Sequence, residues 1–323
     1  MPLSEFELIE RFFRRGVNAS RPASAPSTVS LGIGDDCAIL TPPPGEQLLI
    51  SVDTLVEGVH FPKAFHPADL ARRALAVCVS DLAACGAQPA AYTLALTLPE
   101  VSEAWLAPFA EALHQAGADF GMALIGGDTT KGPLTLSFQV MGFAPAGAAL
   151  LRSGAEVGDN IYVSGYLGEA RAALNWLDQP QLNGHQAQLM QRYLAPQPRL
   201  ALGLALRGVA SAAVDISDGL AADLGHILAA SQVGATLHSE RLPVSPALRG
   251  EAGEQALEYA LGGGDDYELC FTAPPPHHEQ VLAISQTIGL PIHLVGHIEA
   301  DSGLRCLNDN GQLRSLPGGY QHF

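Results

Sequence analysis

The chain has 323 residues, with 17 lysines and arginines against 33 aspartates and glutamates, a formal charge of −16. So acidic a surface repels nucleic-acid phosphates and anionic lipid, which require clustered cations, so neither nucleic acid nor membrane is expected as a partner. With 47% hydrophobic and only 15% charged residues, the acid excess is that of a folded chain rather than a disordered one, and the length suits two domains.

Phe6, Ile9, Phe12 and Phe13 stand at helical spacing, in an N-terminal stretch too charged for a signal peptide. A Pro/Ala/Ser-rich loop at 21–27 leads into Leu31–Ile39, and Leu48–Asp53 reads as a strand. Pro67 opens a helix that buries Leu70, Ala74, Val77 and Leu82 before Gly86 stops it. Ala91–Leu98 alternates like a strand, Glu103–Ala116 reads as a helix, and Met122–Ile125 and Leu134–Phe143 as strands. The small, turn-rich stretch 144–158 places a domain boundary near 148, giving 1–148 and 149–323. In the second half, strands are predicted at Asn160–Ser164, Ala213–Ile216, 234–238, 267–272 and 292–297. Helices are predicted at 167–178, 185–194, 199–209, Leu220–Ser231 and 277–288. The mixture is α+β and lacks the regular alternation and glycine fingerprint of a dinucleotide fold. Five cysteines without a C-x-x-C pair read as reduced thiols of a cytoplasmic protein.

The acids recur in one context, a short apolar run ending in Gly, Ser or Asp and then in carboxylates. The instances are GIGDDCA (Asp35, Asp36), ISVDT (Asp53), VSDLAA (Asp81), LIGGDTT (Asp128), VDISDG (Asp215, Asp218) and GGGDDYE (Asp265, Asp266, Glu268). Taken singly, each is most simply a turn or a helix cap. As a set they could converge only around cations, because like charges at short range raise one another's pKa. Hard oxygen ligands of this kind suit magnesium, which bridges carboxylates to substrate phosphates.

Only Lys63 and Lys131 are lysines, and neither follows the glycine of a Walker A loop. There is no H-R-D or D-F-G of a protein kinase, no H-E-x-x-H and no G-x-S-x-G. A nucleotide triphosphate would therefore have to be neutralised mainly by metal ions, with arginines, glycine-lined amides and Lys131 supplying the rest.

Together with RSGAEVGDNIYVSG (152–165) and the terminal GYQHF (319–323), these motifs resemble the thiamine-monophosphate kinases. That family belongs to the superfamily of aminoimidazole ribonucleotide synthetase, selenophosphate synthetase and a hydrogenase-maturation protein. The string SVDTLVEGVHF (51–61) and the GYQHF ending single out the kinases. The resemblance covers nearly the whole chain and implies a two-domain aminoimidazole ribonucleotide synthetase-like fold, with mixed and antiparallel sheets flanked by helices. It further implies a homodimer paired through the N-terminal halves, an ATP- and Mg-binding N-terminal domain, and a C-terminal domain completing the substrate site.

The implied activity is ATP-dependent phosphorylation of thiamine monophosphate to thiamine diphosphate. The acceptor phosphate oxygen is already ionised, so no general base is expected, and the site's tasks are alignment and charge neutralisation. By resemblance, Asp36, Ser51, Asp53, Asp81, Asp128, Asp215 and Asp218 hold several magnesium ions, and Val52 contributes only through its carbonyl. Gly127, Asp128, Arg152 and Ser217 match ATP contacts, and His60, Asp265 and Tyr320 match substrate contacts. Two positions depart from the family pattern: Asp265 stands where Glu is common, and Val52 where Thr is common. From the residues alone, His60 also reads as a hydrogen-bonded strand-end residue, Arg152 as a linker residue, and Tyr320 as a packing aromatic. Another ATP-using enzyme of the superfamily, or a non-catalytic acidic protein binding divalent metal, remain the alternative readings. The G-x-x-G spacing of Gly165–Gly168 is left unassigned.

Overall fold

The computed structural model describes residues 5–14 and 28–320, so the loop at 21–27 and the last three residues of GYQHF lie outside it. The chain divides into two compact units, Met1–Leu82 with Ala87–Gly147, and Ala83–Gly86 with Ala148–Phe323.

In the first unit, α1 (Glu5–Leu8) runs into a π-turn, Ile9–Phe13, closed by Arg14 N–H donating to the Ile9 carbonyl at 2.9 Å. Leu8, Phe12 and Phe13 are buried. There follow β1 (Val29–Leu31), β2 (Ile39–Leu40), β3 (Glu46–Val56), α2 (Pro67–Ala84), β4 (Gln88–Leu98), α3 (Glu103–Asp119), β5 (Ala123–Lys131) and β6 (Thr135–Pro145). β1 and β2 pair with each other, and GIGDD forms the connection between them.

The main sheet runs β3-β6-β4-β5, antiparallel except for the parallel β4/β5 pair. Register sets Asp53 opposite Phe138, Phe138 opposite Leu94, Ser51 opposite Val140, and Val140 opposite Tyr92. Phe138, Leu94, Val140 and Tyr92 are all buried, so this face is the core side, and Tyr92 Oη reaches the Leu113 carbonyl of α3. The two-residue alternation sends Leu48, Ile50 and Val52 to the other face, where they are 40%, 55% and 62% exposed. Near Ala91 and Met141 that face is covered by Val29, Ala38 and Leu40 of the small hairpin.

β5 extends through Gly-Gly-Asp-Thr-Thr to Lys131, well beyond the predicted Met122–Ile125, because ladder pairing with β4 overrides the poor strand propensity of Gly and Asp.

The second unit contains β7 (Asn160–Ser164), α4 (Glu169–Ala173), α5 (Gly184–Leu194), α6 (Leu200–Ala205), β8 (Ala212–Asp215), α7 (Leu220–Ser231) and β9 (Gly234–His238). It continues with α8 (Pro246–Ala252), α9 (Ala256–Gly262), β10 (Leu269–Ala273), α10 (His278–Ile288), β11 (Ile292–Glu299) and β12 (Gly303–Leu307). Its sheet order is β12-β9-β11-β7-β10-β8, with only β12/β9 parallel. Phe271, Leu269, Tyr162 and Val281 centre a core that also takes in Ala83 and Ala84. The end of α2 is tied there by Leu150 N–H to the Cys85 carbonyl (3.0 Å) and Arg207 Nε to the Gly86 carbonyl (2.5 Å).

Candidate active-site elements in each unit

Ser51 and Asp53 project from β3 toward α2. Ser51 Oγ donates to Asp81 Oδ2, and burial together with the charge of Asp81 pushes the Asp53 carboxyl up to about 6, eased by a hydrogen bond from Cys78. Cys78 lies one helical turn before Asp81 and is fully buried; burial and the Asp53 charge hold its thiol well above the usual range. Its Sγ lies 3.2 Å from the Ala74 carbonyl as well, so the single S–H is shared between that carbonyl and Asp53. The sequence reading passed over Cys78, although its i, i+3 spacing from Asp81 already put the two on one helix face.

Asp36, Gly127 and Asp128 line a second feature of this unit, a cleft of about 860 Å³ whose walls include Arg14, Gly34, Asp35, Leu94 and Ile125. That volume suits a nucleotide-sized ligand. Gly127 is obligatory there, since a Cβ would lie 1.9 Å from the Leu94 carbonyl oxygen. Asp128 is level with Ala95, and Ala95 with Ser137 and Ser137 with Thr54, on the sheet face opposite Asp53. The first-unit acids therefore fall into two groups, and among the described residues no three His, Cys, Asp or Glu side chains already form a metal cage.

His60 accepts the Val56 N–H at Nδ1 (3.0 Å), while its own N–H donates to the Val56 carbonyl (3.0 Å). An accepting Nδ1 leaves the imidazole proton on Nε2, which makes that atom a donor. The strand-end bond read from sequence is present, and it also orients the ring.

In the second unit, Asp215 ends β8 and is buried. The loop after it is organised by Asp223, whose Oδ2 accepts the N–H groups of Ser217, Asp218 and Gly219, each at 3.0 Å. Burial pushes the Asp223 carboxyl up to about 7, the three amide bonds opposing and the Asp218 charge adding to the shift. Asp223 was missed in the sequence, where it reads as an ordinary first-turn acid of α7. Two further segments pack on this loop. Asp265 N–H donates to the Ser217 carbonyl (2.8 Å), Tyr267 N–H to Ile216 (2.9 Å), and Tyr320 N–H to Asp218 (3.2 Å). Gly319 passes so close to α7 that a Cβ would sit 2.5 Å from that of Ala222. The structure therefore brings Asp215, Ser217, Asp218, Asp265 and Tyr320 together.

Arg152 is not among them. Its carbonyl accepts Ser231 Oγ at 3.2 Å, and the same hydroxyl accepts Gly154 N–H and Ala155 N–H at 3.1 Å. Ser231 closes α7, whereas Ser217 precedes its start, so roughly 18 Å of helix separates the two ATP-contact candidates of this unit.

Comparison with known proteins gives these geometries their context. Models of the AIR synthase related protein N-terminal and C-terminal domains match residues 34–144 and 156–307. The thiamine-monophosphate kinase of Escherichia coli K12 is 48% identical over 329 aligned residues, covering 100% of this chain and 99% of that protein. A crystal structure of the thiamine-monophosphate kinase from Stenotrophomonas maltophilia K279a is 46% identical with a TM-score of 0.83, over 89% of this chain and 92% of that one. A further structure, AaThiL complexed with AMPPCP and TMP, is 31% identical with a TM-score of 0.79, over 88% and 89% of the two chains. With both domain models matched and full-length relatives well above the level at which family membership is in question, the chain belongs to the thiamine-monophosphate kinase family of AIR synthase related proteins.

Proposed function

We propose that this protein transfers the γ-phosphoryl group of ATP directly onto the phosphate of thiamine monophosphate, yielding thiamine diphosphate. The observation that carries this reading is the convergence of the acceptor-side stretches 264–267 and 319–320 on the acidic 215–218 loop, in a chain whose relatives are named for that reaction.

No side chain need remove a proton, because the attacking phosphate oxygen is ionised near neutral pH; the residues align two anions and screen them. Ser51, Asp53, Asp81, Asp36, Asp128, Asp215 and Asp218 would hold magnesium, with Val52 offering only its carbonyl. The fit rests on Asp53, whose carboxyl is raised beside Asp81 and is relieved by a divalent cation. Magnesium bound there supplies neutralisation of the polyphosphate charge. Gly127 and Asp128 line the nucleotide cleft, with Arg152 and Ser217 as further nucleotide contacts. His60 donates from Nε2 to the acceptor, Asp265 accepts from it, and Tyr320 offers a half-exposed ring.

We also assign a homodimer, formed by β3, an edge strand whose Ile50 and Val52 are exposed. A reduced cytoplasmic setting agrees with five cysteines that form no disulfide among the described residues, and no described helix is long and apolar enough to cross a membrane. Incubation with ATP, magnesium and thiamine monophosphate should produce thiamine diphosphate and ADP in equal amounts. ATP consumption without thiamine diphosphate would refute the acceptor. Ile50→Asp should shift the sedimentation coefficient from dimer to monomer.

A further inference from the structure

The Gly165–Gly168 turn and the buried ionic cluster beside it have no part in the reading above. In the segment Asp265–Glu268, alternate side chains go opposite ways. Asp265 and Tyr267 bond to each other, Tyr267 Oη donating to Asp265 Oδ1 at 2.8 Å, and their backbones lie on the 216–217 loop. Asp266 and Glu268 point into the interior, 8% and 0% exposed. Both oxygens of Asp266 accept the Gly168 N–H, at 2.9 and 3.0 Å. Glu268 accepts Arg192 Nη2 (2.5 Å), Arg199 Nε (2.6 Å) and Ser164 Oγ (2.6 Å), with Arg199 Nη2 closing a two-pronged contact. Arg192 Nε also reaches Glu169 at 3.1 Å.

Gly165 leaves room for this cluster, since a Cβ on it would lie 2.1 Å from Glu268 Oε1. The anchorage has a load to bear. Asp265 and Tyr267 are non-glycine residues held at φ of 65° and 51°, a left-handed conformation that persists only where the surroundings over-determine it.

We propose that Arg192, Arg199, Asp266 and Glu268, seated on the Gly165–Gly168 turn, are positioning residues that hold Asp265 in its left-handed conformation and thereby set affinity for the phosphorylated acceptor. The inference rests on the assignment of Asp265 as an acceptor contact.

Arg199→Lys keeps the charge but loses the planar fork, and Gly165→Ala drives a methyl against the Glu268 carboxylate. Steady-state kinetics on both variants should show KM for thiamine monophosphate raised about tenfold while KM for ATP stays within about twofold. Asp265→Asn, measured alongside, separates the two layers of the argument. If it leaves KM for thiamine monophosphate unchanged, the contact assignment fails. If it raises that KM while both anchor variants leave it unchanged, or shift both KM values together, the positioning role is overturned. Should Gly165→Ala not fold, Arg199→Lys decides alone, and Arg192→Lys repeats its test.

Discussion

In the first unit Asp53 and Asp81 share the space between β3 and α2, and burial with that like charge pushes Asp53 up to about 6. In the second unit Glu268 is more deeply buried, yet two guanidinium groups and a hydroxyl surround it. The same side-chain chemistry is thus used in two ways. A carboxylate matched by arginines inside the protein is part of the scaffold, and its charge is spent on holding a loop. One crowded by another carboxylate raises the energy of the folded protein and is relieved by protonation or by a metal cation from outside. Burial alone does not distinguish Asp53 from Glu268, whereas the sign of the charge beside each does.

The largest effect that tests this contrast is on stability. Glu268→Ala strips the partner from two partly buried arginines and should cost about 3–5 kcal/mol, read from urea unfolding; a loss below about 1 kcal/mol would show that the cluster is not scaffold. Asp53→Asn should act in the opposite sense on the metal-free protein, stabilising it by about 1–3 kcal/mol through the removal of a buried like charge, while turnover falls by about a hundredfold or more. A variant both less stable and inactive would place Asp53 with the scaffold instead.

The third test is the pH dependence. Asp53 and Asp223 have folded-state pKa values raised from 3.8 to about 6 and about 7. The folded state therefore binds more protons than the unfolded one between those limits. Their contribution to stability is complete below pH 3.8 and is lost as pH rises through about 6 and about 7. Thermal unfolding of metal-free protein should show this decline, and Asp53→Asn should remove its lower part; a flat profile would contradict the crowding. The smallest effect is at His60. His60→Ala should raise KM for thiamine monophosphate about tenfold and leave KM for ATP nearly unchanged; equal changes would return His60 to the role of a strand-end hydrogen-bonding residue.

Much of the fold was legible because local pattern and tertiary packing agree. Asn160–Ser164 and Leu220–Ser231 fall where periodicity places them. α8, α9 and β12 went unseen, since Pro246–Ala252, Ala256–Gly262 and Gly303–Leu307 are short and carry little periodicity. At the site, the acids could be named from their glycine-flanked motifs. Asp223, Arg192 and Arg199 could not, because their roles depend on partners far away in sequence or on loop geometry that composition does not encode, and Cys78 carried only its helical spacing from Asp81 as a signal.

By itself, the sequence set the expectation that anions are met through metal-holding acids, since two lysines and a charge of −16 supply few cations and the carboxylate motifs recur. It also carried the family, since short motifs with obligatory glycines survive as strings. Only the tertiary structure decided which acids are neutralised from within and which are crowded, because a carboxylate's environment is set by burial and by the charge a few ångströms away. The unassigned Gly165–Gly168 spacing acquired its meaning in the same way, as the space into which the Glu268 carboxylate fits.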